Sequence, residues 1–450
     1  MKKIIILIIL FGVLANTIFP FITVGEKIDY SNNFGNFFCI SSGNNNKTGI
    51  TIHKNGCCEG YTFLNIRDKV DGGLYTSLID MNGDQVKSWQ IDSIPAKMLP
   101  GGKIIGGDYS REGYYNTCKN ITEINWDGEV LWSFNKWDND SGEFNCRMHH
   151  DLQMEGNPVG YYAPGQNFIE NGTILILSYK NKYIPKITNK QIFDDVIYEV
   201  DWNGNLTGFE WHASDHYDQF GFSWIEKIGI YLNPGLGLTR EGDCLHINSV
   251  SELGKNKWYD SGDERFHPKN LIIDSRHGNF IVIIDRKTGD IVWRVGPDFT
   301  TRMPSKNGKL GQLIGMHNAH IIPDGLPGAG NILVFDNGGA AGYGLLGLPR
   351  CFRLWSRVVE FNPVTLDIVW EYKALNFLSL FLSSAQRLPN GNTLITEGQG
   401  GYRGRVFEVN PDKEIVWEFY LPLKIYLYRA YRIPPEWVPG NPKGYPFWED

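Results

Sequence analysis

Three short stretches of this 450-residue chain bring imidazoles to comparable places. They are His149-His150-Asp151, His246-Ile247-Asn248-Ser249 and His317-Asn318-Ala319-His320. Each follows a tryptophan-bearing segment, at Trp132, Trp211 and Trp293 respectively. After Trp370 the comparable stretch reads Ser383-Ser384-Ala385-Gln386, and no histidine occurs beyond His320. Imidazoles that recur at one place suit metal binding, proton transfer or nucleophilic catalysis. Metal has the weakest support. Little carboxylate besides Asp151 lies in these stretches, no pair within them has the His-x-x-x-His spacing, and the cysteines show no zinc-site spacing. His53, His212, His216, His267 and His277 are expected to be ordinary hydrogen-bonded or solvated loop residues.

Arginines form a second theme. Asp274-Ser275-Arg276, Trp355-Ser356-Arg357 and Gly404-Arg405 each lead into a hairpin. A guanidinium fork binds sulfate, phosphate or carboxylate in bidentate fashion, although a structural salt bridge is the expectation for Arg405. Phe335-Asp336-Asn337-Gly338, followed by Gly339-Ala340-Ala341-Gly342, forms a tight turn next to the His317 stretch.

The elements that position these residues are repeated. An apolar strand ends in Asp or Asn, turns, and is followed by a strand finishing in Trp. The phrase runs from Leu78-Ile79-Asp80 to Trp89, from Glu123-Ile124-Asn125 to Trp132, and from Glu199-Val200-Asp201 to Trp211. It returns from Ile283-Ile284-Asp285 to Trp293, from Glu360-Phe361-Asn362 to Trp370, and from Glu408-Val409-Asn410 to Trp417. Alternating apolar positions around a Gly, Asn or Pro turn predict hairpins. A third strand often follows, as in Leu388-Pro389-Asn390-Gly391-Asn392-Thr393-Leu394. Small sheets with Trp anchors, repeated about every 40–50 residues, predict an all-β, six-bladed β-propeller, with seven blades as the fallback. Loops equivalent in successive blades converge on one end of the central channel, so the histidines should form a polar ring. Insertions around 135–168 and 212–245 are expected on one face.

Composition agrees with that class. Gly 51, Trp 14, Tyr 22 and Phe 25 accompany a charged fraction of only 21%. This excludes disorder, a long coiled coil and a polytopic membrane protein. The net charge of −7 argues against a nucleic-acid partner.

Lys2-Lys3 precede the apolar run Ile4–Ala15, and no charge appears before Glu26. Residues 1–24 read as a signal peptide, or else an uncleaved N-terminal anchor that would be the sole membrane contact. Either places the folded part outside the cytoplasm. The Asn- and Gly-rich residues 25–59 read as a lead-in, 60–435 as the propeller and 436–450 as a tail. Seven cysteines suit disulfides in an oxidising compartment, and the adjacent Cys57-Cys58 permits a vicinal one.

Several of these phrases resemble the arylsulfotransferase family. They are His317-Asn318-Ala319-His320-Ile321-Ile322-Pro323 with Phe335-Asp336-Asn337-Gly338, Ser356-Arg357-Val358-Val359-Glu360-Phe361, and Ala385-Gln386-Arg387-Leu388-Pro389-Asn390-Gly391. Asp274-Ser275-Arg276 with the Asp285–Trp293 hairpin belongs to the same pattern, and the resemblance spans approximately 60–435. It implies a six-bladed propeller with its site at the channel. It also implies an exported enzyme that moves a sulfuryl group from an aryl sulfate to a phenol through a sulfated histidine, without a bound cofactor. Carried over, His246, His317 and Asn318 would cradle the sulfate and Arg276 or Arg357 would supply a cation. His149, Asn248 and Asn337 complete the expected binding set. The position at which the resemblance places the covalent histidine reads Ser383-Ser384 here, which leaves His246, His317, His320 or His150 for that role.

Two other readings stay open on the residues. An exported propeller that only binds a small anion, a glycan or a protein fits the missing histidine. A quinoprotein dehydrogenase fits the Asp285–Trp293 phrase together with a vicinal disulfide at Cys57-Cys58.

Overall fold

The structure is a computed structural model. It describes residues 48–448 apart from 69–72, 110–116, 140–141, 238–241, 298–308 and 401. The leader assigned to 1–24, most of the lead-in and Cys39 therefore lie outside the described residues. Strands dominate, and the sheets adopt a propeller-like arrangement. Among the described residues no helix is long and apolar enough to cross a membrane.

The repeated phrases become antiparallel meanders. Ile247–Glu252, Leu271–Ser275, Phe280–Ile284 and Ile291–Val295 make one four-stranded sheet. His317–Ile321, Ile332–Asp336, Arg357–Phe361 and Ile368–Tyr372 make a second, with the hairpin Gly339–Tyr343/Pro349–Arg353 inserted. In a third, Tyr61–Asp68 pairs with the C-terminal strand Ile425–Ile433, so the two ends of the described chain are zipped together. Another sheet runs from Ser384–Arg387 to Ile415–Tyr420. Its outer edge gains Gly49–His53, a segment assigned from sequence to the lead-in; Ile50 and Ile52 give it the alternation of a strand.

The Asp or Asn of each phrase explains its turn. Asp285 accepts the N–H groups of Lys287 and Thr288 at 2.8 Å each; Asp80, Asn125, Asp201 and Asn362 each accept the N–H two residues on, and Asn410 accepts that of Glu414. The tryptophans reach across to the next turn. Trp89 Nε1 donates to the Trp126 carbonyl at 2.9 Å, Trp132 to Trp202 at 2.8 Å and Trp211 to Gly289 at 2.9 Å. Trp293 donates to Pro363 at 2.9 Å, Trp370 to Pro411 at 3.2 Å, and Trp417 returns to Met81 at 2.9 Å. Each anchor thus ties one hairpin to its successor, and the last ties back to the first.

Four sheets stand as separate four- or five-stranded units, fewer than the six or seven blades expected. The difference has a local cause. The meanders Asp92–Phe134 and Met148–His212 merge into one eight-stranded sheet because Cys118 pairs with Met148.

The insertion expected at 135–168 is not one loop on one face. The buried strand Met148–Met154 interrupts it, so residues 135–147 enter one end of that strand and 155–168 leave the other. Residues 213–232 do form a compact insertion. It contains the helix Trp224–Leu232, capped by Ser223 and Glu226 in a reciprocal box. Phe220 of this insertion stacks on Phe280 at 4.7 Å, and Tyr343 Oη of the inserted hairpin donates to the Cys244 carbonyl at 2.7 Å.

Candidate active site

The three histidine stretches, and the serine stretch comparable with them, share a backbone device. His150, His246, Asn318 and Ser383 have φ of 56°, 52°, 58° and 89°, and each lies in or beside the first strand of its meander. Left-handed backbone costs a non-glycine residue roughly 1–2 kcal/mol, so packing must enforce it. The ladders slip at the same places, between Ile247 and Ser249 and between His317 and His320. Such irregularities re-aim side chains. The strands Met148–Met154, Ile247–Glu252 and His317–Ile321 pack side by side, which brings their stretches together.

One half of the site suits an anion. His317 Nδ1 lies 2.7 Å from Asn337 Oδ1 and 3.2 Å from the Gly315 carbonyl. Asn337 Nδ2 donates to the carbonyls of Ser379 and Leu382 at 2.8 and 3.1 Å, so its oxygen faces the imidazole. Both neighbours of Nδ1 are acceptors. Nδ1 therefore carries the proton and Nε2 the lone pair. Burial, and then the Arg276 guanidinium, hold His317 well below the ordinary imidazole value. Arg276 itself lies 4.5 Å over the Phe381 ring. Asn318 accepts from the Ala385 N–H at 3.3 Å, which ties this stretch to the serine stretch.

The other half is rich in imidazole and carboxylate. His246 Nδ1 lies 2.5 Å from Asp243 Oδ2, and His277 Nδ1 donates to the Asp243 carbonyl at 2.8 Å. The His246 ring sits 4.8 Å from that of His277 and 4.6 Å from that of His150. His149 stacks on Tyr179, touches His150 Nδ1-to-Nδ1 at 2.9 Å, and turns Nε2 to within 3.6 Å of Asp195. Burial pushes His149 and His277 down to about 3. Burial, and then the Asp243 carboxylate, push Asp195 well above the ordinary carboxyl value. His246 keeps 15% of its side chain exposed, where Asp243 has none.

A buried ionic group lies beside both halves. Asp151 is 3.0 Å from Lys97 Nζ and 3.0 Å from Arg429 Nη1. Burial alone would raise its carboxyl, but Arg429 and Lys97 hold it below the ordinary range. Arg429 also donates to the Asn248 carbonyl at 2.7 Å, and Tyr428 Oη donates to that of His150 at 3.0 Å. Asn248 Nδ2 donates to the Met316 carbonyl at 3.0 Å.

Two sequence candidates are placed elsewhere. His320 has both nitrogens engaged, Nδ1 on the Asn318 carbonyl at 2.9 Å and Nε2 on Tyr161 Oη at 2.8 Å. It is a satisfied core histidine. Arg357 is fully buried within its own sheet, bonded to Asp336 at 2.7 Å, Glu371 at 3.0 Å and the Leu310 carbonyl at 3.0 Å. Its fork is spent on structure. Ser383 offers no substitute nucleophile: its Oγ bonds Ser379 Oγ at 3.0 Å and accepts from Gly398 N–H at 3.1 Å. Arg405 is salt-bridged to Glu397 and Glu418, as expected.

His277, Asp243 and Asp195 are the residues that sequence reasoning missed. His277 directly follows Arg276 and Asp243 precedes His246 by three, so adjacency to assigned residues was the available signal. The quinoprotein reading loses its support. Cys57 and Cys58 are thiols, Cys58 N–H donates to Glu408 at 2.7 Å, and the pair sits by Asn390 and Glu408 rather than on the histidines.

The profile of one protein family, described as Arylsulfotransferase (ASST), matches residues 162–432. No curated protein matches the chain. Among solved structures, a protein of unknown function from Bacteroides caccae is 12% identical with a TM-score of 0.44, covering 84% of this chain and 99% of its own. A putative 6-phosphogluconolactonase from Bacteroides fragilis is 11% identical with a TM-score of 0.39, covering 83% and 97%. The family match takes in the His246 and His317 stretches, Arg276 and most of the meanders, more than half of the chain, and the protein belongs to the arylsulfotransferase family.

Proposed function

We propose that this protein transfers a sulfuryl group from an aryl sulfate to a phenol, with His317 as the group that carries it. The observation that carries this reading is the locked tautomer of His317 beside Arg276. A neutral imidazole with Nε2 unprotonated is a competent nucleophile, and an adjacent guanidinium offsets the charge of the sulfate oxygens. In the first step Nε2 bonds to sulfur while the ester S–O bond breaks, and its electron pair leaves with the phenolate. In the second, the acceptor oxygen bonds to sulfur, the S–N pair returns to Nε2, and the phenol proton passes to a base. His150 is suited to that task. Its ring lies 4.6 Å from that of His246, and its Nδ1 meets His149 Nδ1 at 2.9 Å.

The scaffold for this chemistry is read as six blades. Two features support that count. The Trp anchors pass through six hairpins and return. The first strands of the six meanders also pack in a closed circuit, each against the next. We further place the protein outside the cytoplasm on the strength of Lys2-Lys3 and the apolar run after them.

The experiment is transfer from 4-nitrophenyl sulfate to phenol, followed by nitrophenolate colour. Acceptor-dependent colour that is lost in His317→Ala supports the reading. Colour independent of acceptor would make the protein a hydrolase. No turnover with retained sulfate binding would favour a binding module, the reading that Ser383 supports.

A further inference from the structure

The carboxylate side of the site is arranged for a cation rather than for sulfate. Asp243, His246 and His277 each bring one donor atom into a group whose members all lie within 4.8 Å of one another. Asp243 and His277 are buried, and His246 is partly open. The hydrogen bond from His277 Nδ1 to the Asp243 carbonyl fixes its tautomer and leaves Nε2 as a donor of electrons. Metal-bound imidazoles are held by this kind of contact at the second nitrogen. The near-parallel rings of His246 and His277, 29° apart, come from the start of one strand and the end of its partner. Asp195 Oδ2 and His149 Nε2 lie behind them, buried and without a hydrogen-bond partner. Two imidazoles with a carboxylate form a donor set that favours zinc-class ions over magnesium or calcium. Zinc–ligand bonds of about 2.0–2.2 Å put neighbouring ligand atoms roughly 3.3–3.5 Å apart, so side-chain shifts of about 1 Å suffice.

We infer that Asp243, His246 and His277 bind one divalent zinc-class cation, with the fourth position open to water or to an oxygen of the sulfuryl donor. Three protein ligands with one open position are the pattern of zinc sites that meet substrate. His317, Asn337 and Arg276 are not part of the ligand set, so the site does not depend on the sulfuryl reading.

The test is equilibrium binding of Zn²⁺ and Co²⁺ to the chelator-treated full chain. One ion per chain is expected, with Co²⁺ giving the visible absorption of a four-coordinate nitrogen–oxygen site. His277→Gln and Asp243→Asn should each weaken Zn²⁺ binding at least tenfold. Cys57→Ser with Cys58→Ser should leave it unchanged, and so should His317→Ala, which separates this site from the proposed sulfuryl carrier. Tryptophan fluorescence of each variant checks that it is folded. Wild-type affinity in folded His277→Gln, loss of binding in the cysteine variant, or no retained ion would each overturn the inference.

Discussion

Asn337 sets the protonation of His317: its Oδ1 stands 2.7 Å from Nδ1, and its amide nitrogen is tied to the carbonyls of Ser379 and Leu382. Partners that orient metal-bound histidines are worth roughly 10–100-fold, and a partner that sets the tautomer of a nucleophilic imidazole is expected to be worth a similar factor. Asn337→Ala should therefore lower kcat for sulfuryl transfer by about that factor with little change in KM. The ¹⁵N shifts of His317 should move from a single Nδ1–H tautomer to a mixture. Unchanged shifts with lost activity would make Asn337 merely structural.

Trp417 closes the circle of anchors. It is fully buried, and its Nε1 bonds the Met81 carbonyl far away in sequence. Trp417→Phe keeps most of the apolar volume and deletes the donor, leaving a carbonyl short of a partner. A loss of about 1–3 kcal/mol in urea unfolding is expected. Trp417→Ala should cost about 3–5 kcal/mol. A neutral effect in both would show that ring closure does not rest on this contact.

These anchors were legible in the sequence because each Trp stands a short, regular distance after its Asp or Asn turn. The histidine stretches were legible because each comes next after a Trp-bearing strand, although the spacing varies from one to the next. The merging of two meanders was not, since one pairing, Cys118 with Met148, decides it. Nor was the role of His277: a lone histidine after Arg276 has no periodicity, and only the slip of the adjoining ladder brings it onto His246. Arg357 and Arg276 look alike as a residue pair with a preceding serine. Their fates differ because Asp336 and Glu371 flank one and Phe381 the other.

That difference predicts distinct phenotypes. Arg276→Gln should depress transfer by more than about 10-fold at a matched folded fraction. Arg357→Met leaves Glu371 without its buried partner and Asp336 with Arg353 alone. Removing one member of a buried pair costs about 3–5 kcal/mol. Assays at matched folded fractions should find Arg357→Met nearly fully active. Equal kinetic defects in the two variants would contradict this division.

The buried imidazoles should resist protonation. His149 and His277 are pushed by burial from 6.5 to about 3. Below pH 6.5 the unfolded chain takes up protons that the folded chain refuses. Their contribution to stability is thus fully present above pH 6.5 and is lost as pH falls toward 3. In the chelator-treated protein, NMR signals from both residues should stay fixed between about pH 8 and pH 5. Movement of either with a midpoint near 6.5 would show it to be solvated.

The proposed reaction turns on a sulfuryl group carried by His317. Its direct measurement is rapid quenching of the protein with an aryl sulfate in the absence of acceptor, followed by intact and peptide mass spectrometry. One added SO₃ per chain is expected, mapped to His317, absent in His317→Ala and discharged by phenol. An adduct on His246 or His150, or turnover with no adduct at any histidine, would contradict the claim.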